Sequence, residues 1–405
     1  MRRRVADING DVPPRVVASG NFASPSALLD IVDGALPSYL LFMLNAQRGI
    51  PSRPGVQYET AFVGAGMRGS PTLRYLPARL SMVPDLFAGP LPPDLVLLHT
   101  SRPRGSRVSL GTEVNILPAA VEAAKARGAL VVAQLNAKMP YTFGDSELDT
   151  DVIDVAIEVD TPLASPAARA ADQVSTAIAG RVAALVPDGA TLQLGIGAVP
   201  DATLAQLTGR RGLKVWTEMF SDGVLALEET GALDPNTQLT TSFLFGTARL
   251  YEWAANNQRI RMTRTESTND PAQIADRPAL NSINGALQVD LYGRANAARV
   301  RGRIYSGFGG STDFIVGALH SPQGQAIIAL PSWHPKADCS TIVAQLTEPA
   351  TSFQHSWVVS EQGAASMYGA TEAEQATALI ETVAHPTARP DLRAAAADRF
   401  GVTTG

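Results

Sequence analysis

The chain has 405 residues, of which 45% are hydrophobic and 18% are charged. This composition is typical of a globular protein and has too much apolar content for a disordered chain. The formal net charge is -5, and no concentrated basic surface is evident along the sequence, which argues against nucleic acid as a partner. The length predicts two domains, which together bury a sizeable core.

The sequence also bears on the cellular compartment. Cys339 is the single cysteine, which excludes an internal disulfide, and we expect a small buried thiol in a reducing compartment. The basic start at residues 1–4 is not followed by the apolar run of a signal peptide. No stretch approaches the roughly 18 consecutive apolar residues of a membrane span. We therefore expect a cytoplasmic protein with no membrane contact.

Apolar, β-branched runs alternate with helical patterns along the chain. Helical spacing of apolar residues occurs at Leu117, Val121 and Ala124, and again near residues 379–383. The Ala-rich residues 165–185 predict a long helix that ends at a Pro-Asp-Gly turn. The apolar runs predict buried strands at residues 129–136, 191–197, 213–219, 237–244, 286–293, 326–332 and 355–360.

This alternation of strand and helix predicts an α/β protein with two doubly wound, mostly parallel sheets. Active sites in such sheets lie beyond the carboxyl ends of the strands. We place the domain boundary near the start of the Ala-rich helix. The predicted domains are then an N-terminal one at residues 1–170 and a C-terminal one at residues 171–405.

The first candidate site is residues 193–201, Gln-Leu-Gly-Ile-Gly-Ala-Val-Pro-Asp. A strand runs into a Gly-x-Gly turn and then into a helix with Pro200 in its first turn. A dinucleotide fingerprint needs a third glycine where Pro200 stands. Two other interpretations stay open, which are a tight turn that binds nothing and a site for a phosphate- or pantetheine-bearing ligand.

The second candidate is Glu218, which follows an apolar strand and precedes a Ser-Asp-Gly turn. Such strand ends collect active-site residues, although a lone glutamate there is more often solvated or caps a helix. Residues 305–314 form a glycine-rich loop that is either a flexible turn or a source of amides for an oxyanion hole. Two glycine-rich turns flanking a strand-end carboxylate suit an enzyme in which that carboxylate attacks a thioester.

Five ordered motifs give the chain a resemblance to the acetyl-CoA hydrolase/transferase family, which includes 4-hydroxybutyrate and butyrate:acetate CoA-transferases. The resemblance covers nearly the whole chain. Any one of the motifs would be weak alone, but their common order is specific. They occupy residues 195–202, residues 217–223, residues 289–293, residues 309–310 together with 313–314, and residues 359–363.

The resemblance implies roles for particular residues. Glu218 would be the nucleophile, the Gly310 amide would help to hold the oxyanion, and Glu361 would stand near the reacting carbonyl. Further residues would line the path of CoA or contact it, namely Gly195, Ile196, Gly197, Ala198, Asn269, Gly309 and Lys336. The resemblance also implies two α/β domains with the site in the cleft between them, acyl-CoA and small carboxylic acids as substrates, and a homodimer or homotetramer. No metal or redox cofactor is expected.

Some positions depart from the family pattern. Arg102, Arg104 and Arg107 stand in a loop where relatives often carry an acid and aromatic residues, and they either meet acidic groups of the ligands or form a solvated loop. Gln288 and Gln323 stand where relatives commonly have Glu and Lys. These changes bear on the electrostatics of the site and on CoA contacts.

Alternatives to a CoA-transferase remain at this stage. An acyl-CoA hydrolase would differ only in letting water reach the covalent intermediate. A non-catalytic CoA-binding regulatory protein would keep the glycine turns but would not need Glu218. A serine hydrolase is disfavoured because no Gly-x-Ser-x-Gly occurs. His334, beside Lys336, follows a strand and either faces the cleft or is an ordinary loop histidine.

Overall fold

The computed structural model describes residues 1–8, 10–166, 172–195, 197–350 and 354–401. Two large, mostly parallel sheets organise the chain, with helices packed against them, so the predicted α/β class is confirmed. In the N-terminal half the helices are α1 (Arg2–Ala6), α2 (Ser26–Asp33), α3 (Val83–Ala88) and α4 (Leu117–Ala126). Its strands are β1 (Arg15–Ala18), β2 (Tyr39–Phe42), β3 (Val56–Thr60), β4 (Leu73–Tyr75), β5 (Leu95–Thr100), β6 (Arg107–Ser109), β7 (Leu130–Asn136), β8 (Phe143–Gly144), β9 (Glu147–Asp149) and β10 (Val155–Val159).

The C-terminal half contains shorter strands and more small sheets. Its helices are α5 (Gln173–Leu185), α6 (Ala198–Gln206), α7 (Asp222–Glu229), α8 (Ala248–Ala254), α9 (Thr265–Thr268), α10 (Pro271–Ala275), α11 (Ser311–His320), α12 (Glu372–Ala378) and α13 (Arg389–Phe400). Its strands are β11 (Thr191–Leu194), β12 (Lys214–Val215), β13 (Met219–Phe220), β14 (Leu239–Thr241), β15 (Phe243–Leu244), β16 (Ile260–Met262), β17 (Leu280–Gly285), β18 (Gln288–Asp290), β19 (Ala295–Asn296), β20 (Arg299–Val300), β21 (Arg303–Ile304), β22 (Gln325–Ala329), β23 (Trp333–His334), β24 (Cys339–Ser340), β25 (Ile342–Val343), β26 (Trp357–Val359) and β27 (Ala364–Ser366).

The N-terminal sheet has seven strands in the order β10-β7-β5-β1-β2-β3-β4. Each neighbouring pair is parallel. Its inner strand β5 is buried along its whole length, as expected for a parallel strand covered by helices on both faces. The reversal of strand order around β1 and β5 creates a switch point, where ligands bind in sheets of this kind.

The C-terminal sheet has six strands in the order β12-β11-β17-β22-β26-β27. All pairs are parallel except β26 with β27. One cluster of buried side chains extends from the first sheet into the second and includes Val96 of β5 and Leu192 of β11. The small sheet β14-β16-β8 also joins the halves, because Gly144 pairs with Met262. The two large sheets therefore share a continuous core.

The helix predicted at residues 165–185 begins later than expected. Residues 161–166 are not helical, and α5 starts at Gln173. Asp172 caps the helix, because its carboxylate accepts a 2.6 Å hydrogen bond from the backbone N–H of Ser175. An alanine-rich pattern has no start signal of its own, so the capping aspartate decides the first turn. The proposed boundary at residue 170 falls outside the described residues and stays a prediction.

The predicted strands are confirmed to different extents. The runs at 129–136, 191–197, 326–332 and 355–360 contain β7, β11, β22 and β26, whereas those at 213–219 and 237–244 each break into two short strands. The run at 286–293 contains the short strand β18, which pairs with β19 and β25 in a small sheet of its own. The main C-terminal sheet has a central strand that the sequence reasoning did not predict. The preceding Leu280–Gly285 occupies that central position.

Two further features concern single residues and membrane contact. Cys339 is exposed on the β23–β24 hairpin, so the expectation of a buried thiol is wrong; an edge hairpin offers no interior to its side chains. The residues 379–383 form a short π-helix that continues α12. Among the helices that the structure describes, none is long and apolar enough to cross a membrane. The cytoplasmic location stays a prediction.

Candidate active site

A cavity of about 250 Å³ lies where loops of the two sheets meet. From the N-terminal sheet it is lined by residues that follow β1, β2 and β3, and from the C-terminal sheet by the ends of β11 and β17. These are carboxyl ends of parallel strands, where ligand sites in α/β folds collect. The glycine-rich loop at residues 306–311 closes another side. The cavity brings together Glu218, Gly195, Gly309 and Gly310.

Glu218 lies in the gap between β12 and β13 and lines this cavity. Its carbonyl oxygen accepts hydrogen bonds from the backbone N–H groups of Ser242 (2.8 Å) and Phe243 (3.0 Å). Its side chain accepts a 3.0 Å hydrogen bond at Oε2 from Nδ2 of Asn269. The backbone is thus held by the neighbouring strand end, and the carboxylate is oriented by one amide.

Gly310 packs directly against this carboxylate. A Cβ atom at position 310 would overlap both Glu218 Oε2 and Asn269 Nδ2, so only glycine fits between them. The preceding Gly309 has φ of +59° and lies against the ring of Phe62, a left-handed conformation that glycine adopts without strain. The ten-residue helix α11 begins immediately after Gly310. The positive end of its dipole faces the region of Glu218.

The carboxyl of Glu218 is poised to ionise near neutrality. Burial raises its pKa to about 7, the hydrogen bond from Asn269 opposes that rise, and the charge of Asp313 adds to it. Within the described residues no cation forms an ion pair with Glu218. Asp313 itself is buried in α11 and accepts hydrogen bonds from Ser81 through its backbone N–H (3.3 Å) and its hydroxyl (3.0 Å). Burial raises the pKa of Asp313 to about 6.

Glu113 is a second buried carboxyl near the nucleophile candidate, and the sequence reasoning missed it. Its Oε2 accepts a hydrogen bond from Nδ2 of Asn21 (2.5 Å), and its Oε1 accepts one from Nδ2 of Asn115 (2.8 Å). Burial raises its pKa to about 7, the two amides lower it, and the charge of Glu218 raises it again. Backbone pairing of Glu113 with Phe243 places it beside the strand end that holds Glu218.

Three asparagines build the wall of the cavity in front of Glu113. Asn21, Asn45 and Asn115 line the cavity, and all three have positive φ, at 45°, 46° and 39°. Asn45 donates from Nδ2 to Oδ1 of Asn21 at 2.7 Å. Asparagine tolerates this left-handed backbone better than other non-glycine residues, and strained residues cluster at functional sites. An asparagine just after a buried apolar strand was the signal available in the sequence.

A buried polar network borders the cavity from the C-terminal sheet. Gln193 of β11 accepts hydrogen bonds at Oε1 from the Ser282 hydroxyl (2.7 Å) and from Nδ2 of Asn284 (3.0 Å). Both Gln193 and Asn284 line the cavity. Amide side chains in the middle of a parallel sheet are costly unless paired, and here they present polar groups to a ligand.

The Gly-x-Gly turn leads into α6. Gly195 lines the cavity, Gly197 has φ of +133° and precedes the helix, and Ala198 is its exposed first residue. Ile196 lies outside the described residues. Pro200 lies in the first turn of α6, as the sequence predicted.

Other predicted site residues do not line the cavity. Asn269 contacts Glu218 from behind. Glu361 is engaged elsewhere, because both its oxygens accept hydrogen bonds from Ser332. Burial raises the pKa of Glu361, but those hydrogen bonds lower it by more, so this pKa lies below its ordinary value. Lys336 is exposed on the β23–β24 hairpin.

The arginine-rich loop and His334 are also remote from the cavity. Arg102, Arg104 and Arg107 are exposed; Arg104 stacks 4.1 Å over a tyrosine ring and Arg107 pairs with Asp149. The interpretation as a solvated loop is therefore the better one. His334 is exposed and accepts a hydrogen bond from its own loop.

Comparisons with known proteins identify the relatives of this chain. The family model for the acetyl-CoA hydrolase/transferase C-terminal domain matches residues 246–396. The 4-hydroxybutyrate coenzyme A transferase of Clostridium kluyveri is 34% identical over 386 residues, which is 91% of this chain and 89% of that protein. A succinyl-CoA:acetate/propanoyl-CoA:succinate CoA transferase of Fasciola hepatica is 37% identical over 344 residues, which is 81% of this chain and 70% of the relative.

A solved structure extends the likeness to the whole fold. The 4-hydroxybutyrate CoA-transferase of Porphyromonas gingivalis superposes with a TM-score of 0.80 at 29% identity, covering 98% of this chain and 97% of that one. Two independent comparisons of nearly full length thus point the same way. This chain belongs to the acetyl-CoA hydrolase/transferase family.

Proposed function

We propose that this enzyme is a CoA-transferase, which moves CoA from an acyl-CoA to a small free carboxylic acid through a thioester on Glu218. The observation that carries the proposal is the state of that carboxylate. Glu218 lines the cavity, its side chain accepts a hydrogen bond from Asn269, and burial raises its pKa to about 7. A carboxylate with few partners and little water is a competent nucleophile towards a thioester.

The first step forms an acyl-glutamyl anhydride. An oxygen of ionised Glu218 attacks the thioester carbonyl, a new C–O bond forms, and the C–S bond breaks as CoA leaves as the thiolate. Negative charge develops on the carbonyl oxygen, and we assign its stabilisation to the backbone amide of Gly310. The missing Cβ at this position supports the assignment, because the backbone there approaches the carboxylate closely.

Three further exchanges complete the transfer. The CoA thiolate attacks the glutamyl carbonyl of the anhydride, which forms the enzyme thioester and releases the first carboxylic acid. The second acid then attacks this thioester to form a new anhydride, and CoA returns to its acyl carbon. Each step exchanges one bond to carbon for another, and no electron donor or acceptor takes part.

Neighbouring polar groups control the ionisation of Glu218. Asn269 holds one carboxylate oxygen by a 3.0 Å hydrogen bond, and this leaves the other oxygen for attack. Glu113 is close enough to Glu218 for the charge of Glu218 to raise the pKa of Glu113. Two buried carboxyls in one site resist double ionisation. We therefore propose that the two carboxyls titrate as a coupled pair, in which each ionised group raises the pKa of the other.

The path of CoA is proposed along the glycine turns. Gly195 and Gly309 border the cavity and leave the backbone open to a ligand, and Gly197 and Ala198 continue that surface to the exposed start of α6. The amide network of Gln193 adds hydrogen-bonding groups next to it. Contact of Lys336 with CoA, and a homodimer or homotetramer, stay predictions.

Mass spectrometry tests the covalent step. The protein is incubated with acetyl-CoA and then with borohydride, which cleaves an enzyme thioester and reduces its carboxyl carbon to an alcohol. We expect a mass loss on the peptide that contains Glu218, and no loss in the Glu218→Gln variant or without acetyl-CoA. Release of free CoA with Glu218 unmodified would contradict the transferase and favour direct hydrolysis.

A further inference from the structure

A second cavity, which we call the rear cavity, lies at the other end of the strands that lead to Glu218. Its volume is about 640 Å³, within the range of small-molecule sites. It is lined by Thr191 at the start of β11 and by Lys214, Val215 and Trp216 around β12. It shares no lining residue with the cavity that contains Glu218. The two cavities are therefore separate sites.

The rear cavity concentrates positive charge. Lys214, Arg261 and Arg277 line it, and among the described residues that line it Asp145 is the one carboxylate. Asp145 is already engaged, because its Oδ2 accepts a 3.0 Å hydrogen bond from the backbone N–H of Arg264. Within the described residues, no carboxylate forms an ion pair with any of the three cations. Three uncompensated cations in one concavity of an acidic protein favour an anionic ligand.

The nearby Arg264, unlike the three cations of the rear cavity, forms ion pairs with carboxylates. Its guanidinium pairs with Glu122 at 2.7 Å and also with Glu266. Arg277 instead stacks 4.1 Å over the ring of Trp216, and Arg261 is exposed. Neutral donors complete the lining, since Thr240 and Ser267 bring hydroxyl groups. A planar guanidinium, an ammonium and hydroxyl groups together match the oxygen-rich surface of phosphates.

We infer that the rear cavity binds a small molecule that carries two or more phosphate charges, apart from any CoA bound beside Glu218. Lys214 and Arg261 supply the principal charge-assisted hydrogen bonds. Trp216 lines this site, and its indole N–H donates to the carbonyl of Thr268 at 3.0 Å. The residue after Thr268 is Asn269, which holds Glu218. The inference is independent of the CoA-transferase proposal.

Calorimetric titration with pyrophosphate, on the full chain saturated with CoA and at low salt, tests the site. We expect binding at one site per chain. Lys214→Met and Arg261→Gln should each weaken the affinity about tenfold, the loss of about 1.4 kcal/mol that follows removal of one charge-assisted hydrogen bond. Arg3→Gln, a matched charge change on the exposed face of α1, should leave the affinity unchanged.

Several outcomes would overturn the inference. These are an absence of binding to the CoA-saturated protein, equal affinity in wild type and both rear-cavity variants, or equal weakening by Arg3→Gln. Thermal unfolding of each variant establishes that it is folded. An ADP titration distinguishes a free diphosphate from an esterified one, and tighter binding of either identifies the ligand source.

Tryptophan fluorescence gives a second readout that locates the anion. Because Trp216 lines the rear cavity and contacts Arg277, pyrophosphate should change its emission. Trp216→Phe should remove that change while binding persists in the calorimeter. An unchanged fluorescence response in Trp216→Phe would place the anion elsewhere and contradict the site.

Discussion

Two strand ends of the C-terminal sheet each carry a glutamate, and the protein treats the two side chains in opposite ways. Glu218 follows β12, accepts one side-chain hydrogen bond, and has its pKa raised to about 7 by burial. Glu361 follows β26 and accepts hydrogen bonds from the backbone and hydroxyl of Ser332 and from Gln362. Burial raises the pKa of Glu361, but these hydrogen bonds lower it by more, so this pKa lies below its ordinary value.

The difference separates the carboxylate that we propose as the nucleophile from one whose oxygens are held by hydrogen bonds. Hydrogen bonds to the ionised form lower the free energy of a carboxylate and reduce its tendency to attack. Glu361 is stabilised in this way and ties the strand end to the loop of Ser332. In Glu218, Oε2 lies beside Gly310 and accepts the hydrogen bond from Asn269, and within the described residues Oε1 accepts no hydrogen bond. Glu218 and Glu361 thus both follow a strand end, and their hydrogen-bond partners distinguish them.

The largest expected effect comes from Glu218→Gln. The amide keeps the shape of the side chain but cannot attack a thioester, so CoA exchange should fall by about 10⁴-fold or more, as when other covalent nucleophiles are removed. Exchange of labelled acetate into acetyl-CoA measures the loss. CoA binding and the thermal midpoint should be retained. Turnover within tenfold of wild type would remove Glu218 from the mechanism.

Gly310→Ala should have the next largest effect. The added methyl group would overlap Glu218 Oε2 and Asn269 Nδ2, displacing the carboxylate from the oxyanion donor. We expect a loss of about 10²–10³-fold in kcat, the range for removal of one oxyanion donor. Gly180→Ala is the matched control, because Gly180 lies within α5 with open space around it. Similar activities in the two variants would break the assignment.

Asn269→Ala should shift the pH profile to higher pH. The hydrogen bond from Asn269 lowers the pKa of Glu218, so its removal raises that pKa and reduces the ionised fraction at neutrality. We expect about tenfold lower kcat/KM at pH 7, corresponding to roughly one hydrogen bond to a charged group, with partial recovery at higher pH. A uniform loss at every pH would indicate a purely structural role.

Glu113→Gln should shift the same profile to lower pH. Wild-type activity should rise with pH towards a plateau above about pH 7, because Glu218 must ionise. Removing the charge of Glu113 relieves its repulsion of Glu218, so the midpoint should move down by a few tenths to about 1 pH unit. Measurement of kcat/KM from pH 5 to 9 distinguishes this shift from the opposite one in Asn269→Ala.

The smallest effect on catalysis is expected for Glu361→Gln, with kcat within about threefold of wild type because the side chain does not line the cavity. Its effect should be on stability. A carboxyl whose pKa is lowered by folding stabilises above its unfolded pKa of about 4.3 and loses that contribution as the pH falls. The thermal midpoint should therefore drop by about 1–2 °C at pH 7 and approach wild type near pH 3. A loss of exchange comparable with Glu218→Gln would contradict the comparison.

Several elements of the fold could be predicted because their signals are local. The strand β7 and the helix α4 show apolar periodicity within one segment. Leu280–Gly285 was missed although it is central in its sheet, because it contains Asn281, Ser282 and Asn284. These polar side chains are tolerated there only because partners such as Gln193 lie on the adjacent strand. A strand that depends on its neighbour's side chains has no signature within its own residues.

The residues of the candidate active site likewise divide into those with a local sequence signal and those without one. Glu218 and the loop of Gly309 and Gly310 stand out as strand-end and glycine-rich segments in the sequence. Glu113 does not, because the partner that orients it, Asn21, is 92 residues away in the chain. Its raised pKa arises from burial and from the neighbouring Glu218, and neither exists until the two sheets have packed.

The sequence by itself therefore determined the α/β class, the family motifs and the identity of the candidate nucleophile, since these depend on local periodicity and on short runs of residues. The tertiary structure alone decided that Glu113 faces Glu218, that Glu361 is held by Ser332, and that three cations share the rear cavity. Charge, burial and hydrogen bonding between distant segments are properties of the folded arrangement. They set which of several similar carboxylates can react.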